Sequence, residues 1–316
     1  MNGEELQLLP VSAGSEGPVS IAYRFRKPKE NQPTFVWFCG FKSEMESVKA
    51  NALAAWARAN GAGCLRFDYS GHGKSGGRFE DGTIGAWLDQ AAAVCRHALC
   101  DGPAVFVGSS MGGWIALLLA RRFYTEVPPH PSPLPEGRGS GACFSEGSSG
   151  VPFTHPHPLA GAAAKVASSP RRACGEKDRM RGDLAPHLKG IVLIAPAWDM
   201  TRLFWERAPA ETRESILRDG VYYRPSAYGD GPYAITKALI EDGERHLFGA
   251  GPVPLAVPIR ILHGCQDPDV PWRRSLSLLD VIACPDMRLT LIKDGEHRLS
   301  RPGDLALLFT TLAEFF

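Results

Sequence analysis

Residues 104–120 read AVFVGSSMGGWIALLLA: an apolar strand-like run, the turn GSSMG, and an apolar helix-like run with no break between them. A Gly-x-Ser-x-Gly string alone says little in a chain with 34 glycines. Between a strand and a helix it acquires a mechanical meaning. The turn is sharp enough to push one side chain beyond the sheet, and Gly108 and Gly112 permit the close backbone passage that such a turn needs. Ser110 is the side chain so exposed. The helix that follows aims its unpaired amides and positive dipole end at it. The pattern implies a nucleophilic serine, with the Met111 amide as one donor to a developing oxyanion.

A serine hydroxyl needs a base to take its proton, and the base needs an anion to fix its tautomer. On strand-turn-helix sites the partners follow in the order serine, acid, histidine. Asp267 stands directly after the strand RILHG (260–264), where its carboxylate would emerge at the carboxyl edge of the sheet. Asp269 competes but lies two residues farther from the strand, and is read as a solvated loop charge. His297, in KDGEHR (293–298), follows the last strand and is the expected base. His72 and His263, beside glycines, read as structural. The second oxyanion donor is expected from CGFKS (39–43), at the Phe41 amide. The string FDYSGHGKS (67–75) is glycine-rich but fits neither GxGxxG nor GxxxxGKS, so it reads as a turn beside the site rather than a phosphate loop.

Outward from this centre, the chain alternates apolar runs with amphipathic ones, which predicts crossover helices on a mostly parallel sheet. Eight strands are expected: 6–11, 19–25, 34–39, 64–67, 104–107, 190–195, 259–262 and 287–292. Helices are expected at 45–60, 84–99, 112–123, 272–282 and 305–316. In the second of these, Ile84, Leu88, Ala91, Cys95 and Ala98 share one face. Residues 1–316 are read as one domain with two interruptions. Thr125 to Pro186 is crowded with Pro, Gly and Ser, lacks any period, and reads as a disordered insertion without catalytic part. Asp199 to Val257 carries Phe204, Trp205 and several tyrosines on short helical pieces and reads as a lid, with Trp198, Phe204 and Trp205 as expected substrate contacts.

With 35 basic against 34 acidic side chains the net charge is +1, which gives no electrostatic footprint for nucleic acid or anionic lipid and favours a small neutral substrate. No apolar run approaches the ~20 residues needed to span a bilayer. Glu4 and Glu5 stand where a basic leader would begin, and the eight cysteines show no CxxC spacing. These features predict a cytoplasmic protein without metal, disulfide or other cofactor; they leave its oligomeric state open.

The stretches RFDYSGHGKSGG, VGSSMGGW, ILHGCQDPDVPW and GEHRLS together resemble the α/β-hydrolase superfamily. The run PYAITKALIEDGERHLF, followed by PIRILHGCQDPDVPW and HRLS, is similar to the family of the mitochondrial palmitoyl-protein thioesterase and acyl-glucuronide esterase and its bacterial relatives. The resemblance covers most of the chain except 125–186. It implies an α/β-hydrolase fold with a small helical lid, a triad falling on Ser110, Asp267 and His297, oxyanion amides at Phe41 and Met111, and no cofactor. The activity implied is cleavage of a carboxylic ester or thioester. The alternatives are a serine peptidase or lipase of the same fold, and a catalytically silent protein that binds a ligand or partner under the same lid.

Overall fold

The computed structural model describes residues 4–12, 17–99, 102–126, 187–225, 232–249 and 251–316. Most of the predicted insertion at 125–186 lies outside the described residues. In chain order the elements that position the site are β1 (Leu6–Ser12), β2 (Pro18–Arg26), β3 (Thr34–Phe38), α1 (Val48–Ala59), β4 (Gly63–Phe67), α2 (Ile84–Ala98), β5 (Ala104–Ser109) and α3 (Met111–Glu126). Then come β6 (Leu188–Ile194), α4 (Met200–Arg207), α5 (Ala210–Asp219), the hairpin β7 (Val221–Arg224) and β8 (Tyr233–Thr236), and α6 (Lys237–Arg245). β9 (Ile259–Gly264), α7 (Arg273–Val281), β10 (Met287–Ile292) and α8 (Pro302–Ala313) complete it.

Eight strands form one sheet in the order β1-β2-β4-β3-β5-β6-β9-β10. β2 is antiparallel to both β1 and β4, while every pairing from β4 to β10 is parallel. This is the α/β-hydrolase fold. The chain moves from β3 outward to β4 and then returns across β3 to β5, so the strand order reverses there. At such a point the loops leaving two adjacent strands diverge and open a crevice at their carboxyl ends. The loop after β3 and the turn after β5 border that crevice.

Strands buried on both faces give continuous apolar runs, and β3, β4 and β5 are buried at every position. Phe38 packs edge-on against Phe67 and Phe106 across three neighbouring strands, with ring centroids 5.6 and 5.0 Å apart. α3 lies beneath this centre with residues 111–120 all buried.

Two helix starts differ from the sequence expectation by three residues. α1 begins at Val48 rather than Met45, because the backbone at Met45 is engaged elsewhere: its amide donates to Asp68 Oδ1 (2.6 Å) and its carbonyl accepts from Arg66 (3.1 Å). α8 begins earlier, at Pro302, where proline's missing N–H costs nothing in the first turn and Asp304 accepts from the Arg301 amide.

Candidate active site

Ser110 occupies the one-residue joint between β5 and α3 with φ of +53°, a left-handed conformation that a non-glycine residue adopts at a cost. Backbone bonds hold it there. Its amide donates to the Ile194 carbonyl (2.9 Å), and its own carbonyl accepts from the amides of Gly113 (2.9 Å) and Ala197 (3.0 Å). The glycines on either side are dictated by space. A Cβ on Gly108 would meet the Gly112 carbonyl oxygen at 2.5 Å, and one on Gly112 would meet the Phe38 carbonyl oxygen at 2.1 Å. The first turn of α3 is thus pressed against the end of β3, which brings the loop after β3 to the serine.

Three side chains distant in sequence converge at this joint. His297 Nε2 is 3.1 Å from Ser110 Oγ, and His297 Nδ1 is 2.7 Å from Asp267 Oδ2. The Asp267 side chain is fully buried, and its Oδ1 accepts the amides of Asp269 (2.9 Å) and Val270 (2.8 Å). Burial alone would push its carboxyl up; hydrogen bonds from His263 and His297 and from the Val270 amide outweigh that and hold it well below the usual carboxylate range. It is therefore an anion aimed at His297. Asp269, the sequence competitor, is partly exposed and turns toward Arg224 (3.7 Å) rather than His297 Nδ1. Asp267, Asp269 and His297 bring one possible metal-ligand atom each within 4.8 Å of one another. The Asp267 and His297 side chains there are already hydrogen-bonded to each other.

Phe41 lies on the loop after β3. Its neighbour Gly40 sits where an added Cβ would be 3.4 Å from Ser110 Cβ, and its own ring packs on Phe79, Trp87 and Tyr233. The next residue, Lys42, has φ of +58° and donates its amide to His72 Nε2 (3.2 Å), while His72 Nδ1 faces the Ser70 carbonyl (3.0 Å). The glycine-rich turn is therefore the support of the Phe41 loop. Burial pushes the His72 ring down to about 4, so it stays neutral and able to accept from Lys42. Met111 opens α3, where a first-turn amide has no partner within the helix. Met111 follows Ser110 directly in the chain, and Phe41 lines the same cavity as Ser110.

A cavity of about 850 Å³ opens over Ser110 and His297. Met200, Leu203, Phe204, Tyr222 and Tyr233 give it an apolar wall, and Lys42, Arg207 and Arg224 also border it. Of the three expected substrate contacts, Phe204 lines this cavity, whereas Trp198 and Trp205 do not. Trp198 donates its indole N–H to the Arg274 carbonyl (2.8 Å) and packs on Phe248. Trp205 packs against the lid's own small core of Ile216, Ile235 and Ile240. Aromatic content marked the lid; it could not show which rings face inward.

Sequence reasoning also missed His263 as a partner of the site. It is fully buried near the end of β9, with Nε2 3.2 Å from Asp267 Oδ2 and Nδ1 2.6 Å from Ser275 Oγ. A histidine before a glycine at a strand end carries no periodic signal. Only its position four residues before the expected acid hinted at contact.

A strand-order reversal with a serine joint, a buried carboxylate and an imidazole between them defines a hydrolase of the α/β class. The chain belongs to the alpha/beta hydrolase family, whose model matches residues 37–306. Mouse palmitoyl-protein thioesterase ABHD10, mitochondrial, is 28% identical over 294 residues, covering 93% of this chain and 77% of that protein. A putative hydrolase from Agrobacterium vitis S4 superposes with a TM-score of 0.76 at 32% identity, over 99% of both chains. The solved mouse alpha/beta hydrolase domain-containing protein 10 gives 0.69 at 26% identity, over 98% of this chain and 97% of its own. The thioesterase relatives from mouse and human are named mitochondrial, which overturns the cytoplasmic expectation. Among the described residues no helix is long and apolar enough to cross a membrane.

Proposed function

We propose that the protein is a serine hydrolase that cleaves carboxylic esters or thioesters through an acyl-enzyme. Ser110 Oγ attacks the carbonyl carbon while its proton passes to His297 Nε2. The oxyanion formed is met by the amides of Met111 and Phe41, and Asp267 stabilises the imidazolium. Collapse of the tetrahedral intermediate expels the alcohol or thiol, which takes the proton from His297. A water molecule, deprotonated by the same ring, then releases the acid and restores the serine. The observation that carries this reading is the unbroken chain of hydrogen bonds from Ser110 through His297 to Asp267, at 3.1 and 2.7 Å, on the floor of a cavity. The thioesterase name of the mouse relative and the apolar wall over the serine support an acyl chain or aryl group as the part bound.

The test is a short-chain nitrophenyl ester together with a fluorophosphonate probe. Ser110→Ala is expected to lower turnover by about 10⁴-fold or more and to abolish labelling, with an unchanged circular dichroism spectrum. A folded Ser110→Ala protein that keeps its activity would refute the proposal.

A further inference from the structure

Among the described residues, His263 is the one imidazole besides His297 that touches Asp267, and it does so at the same oxygen. Its Nε2 lies 3.2 Å from Asp267 Oδ2 and 2.9 Å from the Val270 carbonyl. A carbonyl and a carboxylate only accept, so Nε2 carries the hydrogen. In the neutral ring Nδ1 is then a lone pair, and the Ser275 hydroxyl at 2.6 Å donates to it. His263 and Ser275 are both fully buried, on β9 and α7. We propose that Ser275 and His263 are positioning residues: Ser275 fixes the tautomer of His263, and His263 fixes the Asp267 oxygen that faces His297. The inference rests on the reading of Ser110, His297 and Asp267 as nucleophile, base and acid.

Two consequences follow from the geometry. Asp267 meets four donors, two amides on Oδ1 and two rings on Oδ2, so its carboxylate cannot rotate without breaking several bonds. The second consequence is electronic. A neutral donor on Oδ2 draws off part of the charge with which Asp267 attracts a proton onto His297, and so sets the pH below which the base is lost. The Ser275 hydroxyl occupies the lone pair through which His263 would otherwise become a second cation beside the carboxylate. The titratable group that His263 meets is Asp267, on the loop after β9, whose same oxygen also meets His297 on the loop after β10. Arg274, next to Ser275, turns away to Asp199 (2.7 Å) and Glu206 (2.5 Å).

The experiment is kcat/KM against pH with a nitrophenyl ester for the wild type, His263→Leu, His263→Gln and Ser275→Ala. His263→Leu removes the donor, so the acid limb is expected to move up by about 0.5–1 pH unit, with kcat reduced more than KM is raised. His263→Gln keeps an amide N–H near the Nε2 position and is expected to return the limb toward the wild type. Ser275→Ala removes the hydroxyl that holds Nδ1 as an acceptor, and its kcat is expected to fall more than its KM rises.

Nitrogen-15 spectra of histidine-labelled wild type near neutral pH are expected to show His263 protonated at Nε2 and bare at Nδ1. Acid limbs identical in His263→Leu and His263→Gln, with only the melting temperature lowered, would reduce His263 to a packing residue and overturn the proposal. A doubly protonated ring in the wild type would overturn the role given to Ser275. Should His263→Leu not fold, Ser275→Ala and the spectra still decide. Failure of the underlying triad is read separately, from activity or labelling that survives Ser110→Ala.

Discussion

Ser110 holds a backbone conformation that costs on the order of 1–2 kcal/mol for a residue with a side chain, and the surrounding bonds to Ile194, Gly113 and Ala197 offset it. The neighbouring glycines are under a harder constraint, since the obstruction is backbone and cannot move aside. Gly112→Ala would set its methyl 2.1 Å from the Phe38 carbonyl oxygen and force α3 off β3. A loss of about 3 kcal/mol or more is expected, measured as the shift in urea midpoint, together with weaker fluorophosphonate labelling as the joint distorts. His72 supplies a pH dependence at the same scale. Burial holds its ring down to about 4 in the folded protein, whereas an unfolded histidine titrates near 6.5. Between those values the unfolded chain binds the extra proton. The stabilisation is therefore complete above about pH 6.5 and is lost as pH falls toward about 4, by up to about 3 kcal/mol. His72→Gln removes the titration, so its urea stability is expected to fall less steeply across that window; an unaltered slope would count against the assignment.

Residues 199–257 meet the sheet domain at the start of α2, among other contacts. Asp242 on α6 accepts the Gly85 amide (2.7 Å), an unpaired first-turn donor of α2, while Thr83 caps the same helix from within at 3.2 Å. A Cβ on Gly85 would meet His246 Nε2 at 2.7 Å, so a side chain there would push that ring aside. Asp242→Ala leaves that amide bare and loosens α6 against α2. The expected outcome is a loss of about 1–2 kcal/mol in stability and a KM for long-acyl esters that rises more than kcat falls, measured against an acetyl ester as control. Elements of this kind were the least legible in the sequence. The central parallel strands announced themselves because burial on both faces favours apolar runs, as in β3 and β5, and the partly exposed edge strand β10 fell at 287–292 as expected. α4, α5, β7 and β8 are four to ten residues long and take their form from packing against the core, which leaves aromatic content as the main trace. That trace pointed to Phe204, which lines the cavity, and equally to Trp198 and Trp205, which do not.

At the scale of the whole molecule, the candidate site was legible where it depends on the order of elements and illegible where it depends on depth. Ser110, Asp267 and His297 each follow a recognisable strand, and a sheet with that strand order brings strand ends together wherever the intervening chain runs. The contact of His263 with Asp267 and Ser275 needed the coordinates, because it joins β9 to α7 through the interior. The same separation of sheet order from intervening chain bears on residues 127–186. β5 and β6 pair directly and in parallel, and α3 between them runs back toward the end of the sheet where β6 starts. A crossover of this kind needs a connection of only about 2–6 residues from helix to strand, so the sheet asks nothing of the other residues in the segment. Replacing residues 127–186 by a Gly/Ser linker of about six residues is therefore expected to give a folded protein. Its fluorophosphonate labelling at Ser110 and its kcat for a short nitrophenyl ester should stay within about twofold of the full chain, a difference of less than ~0.5 kcal/mol. Insoluble or unlabelled protein would show instead that the segment supplies contacts the core requires, and would remove the ground for treating the hydrolase sheet as sufficient for the chemistry.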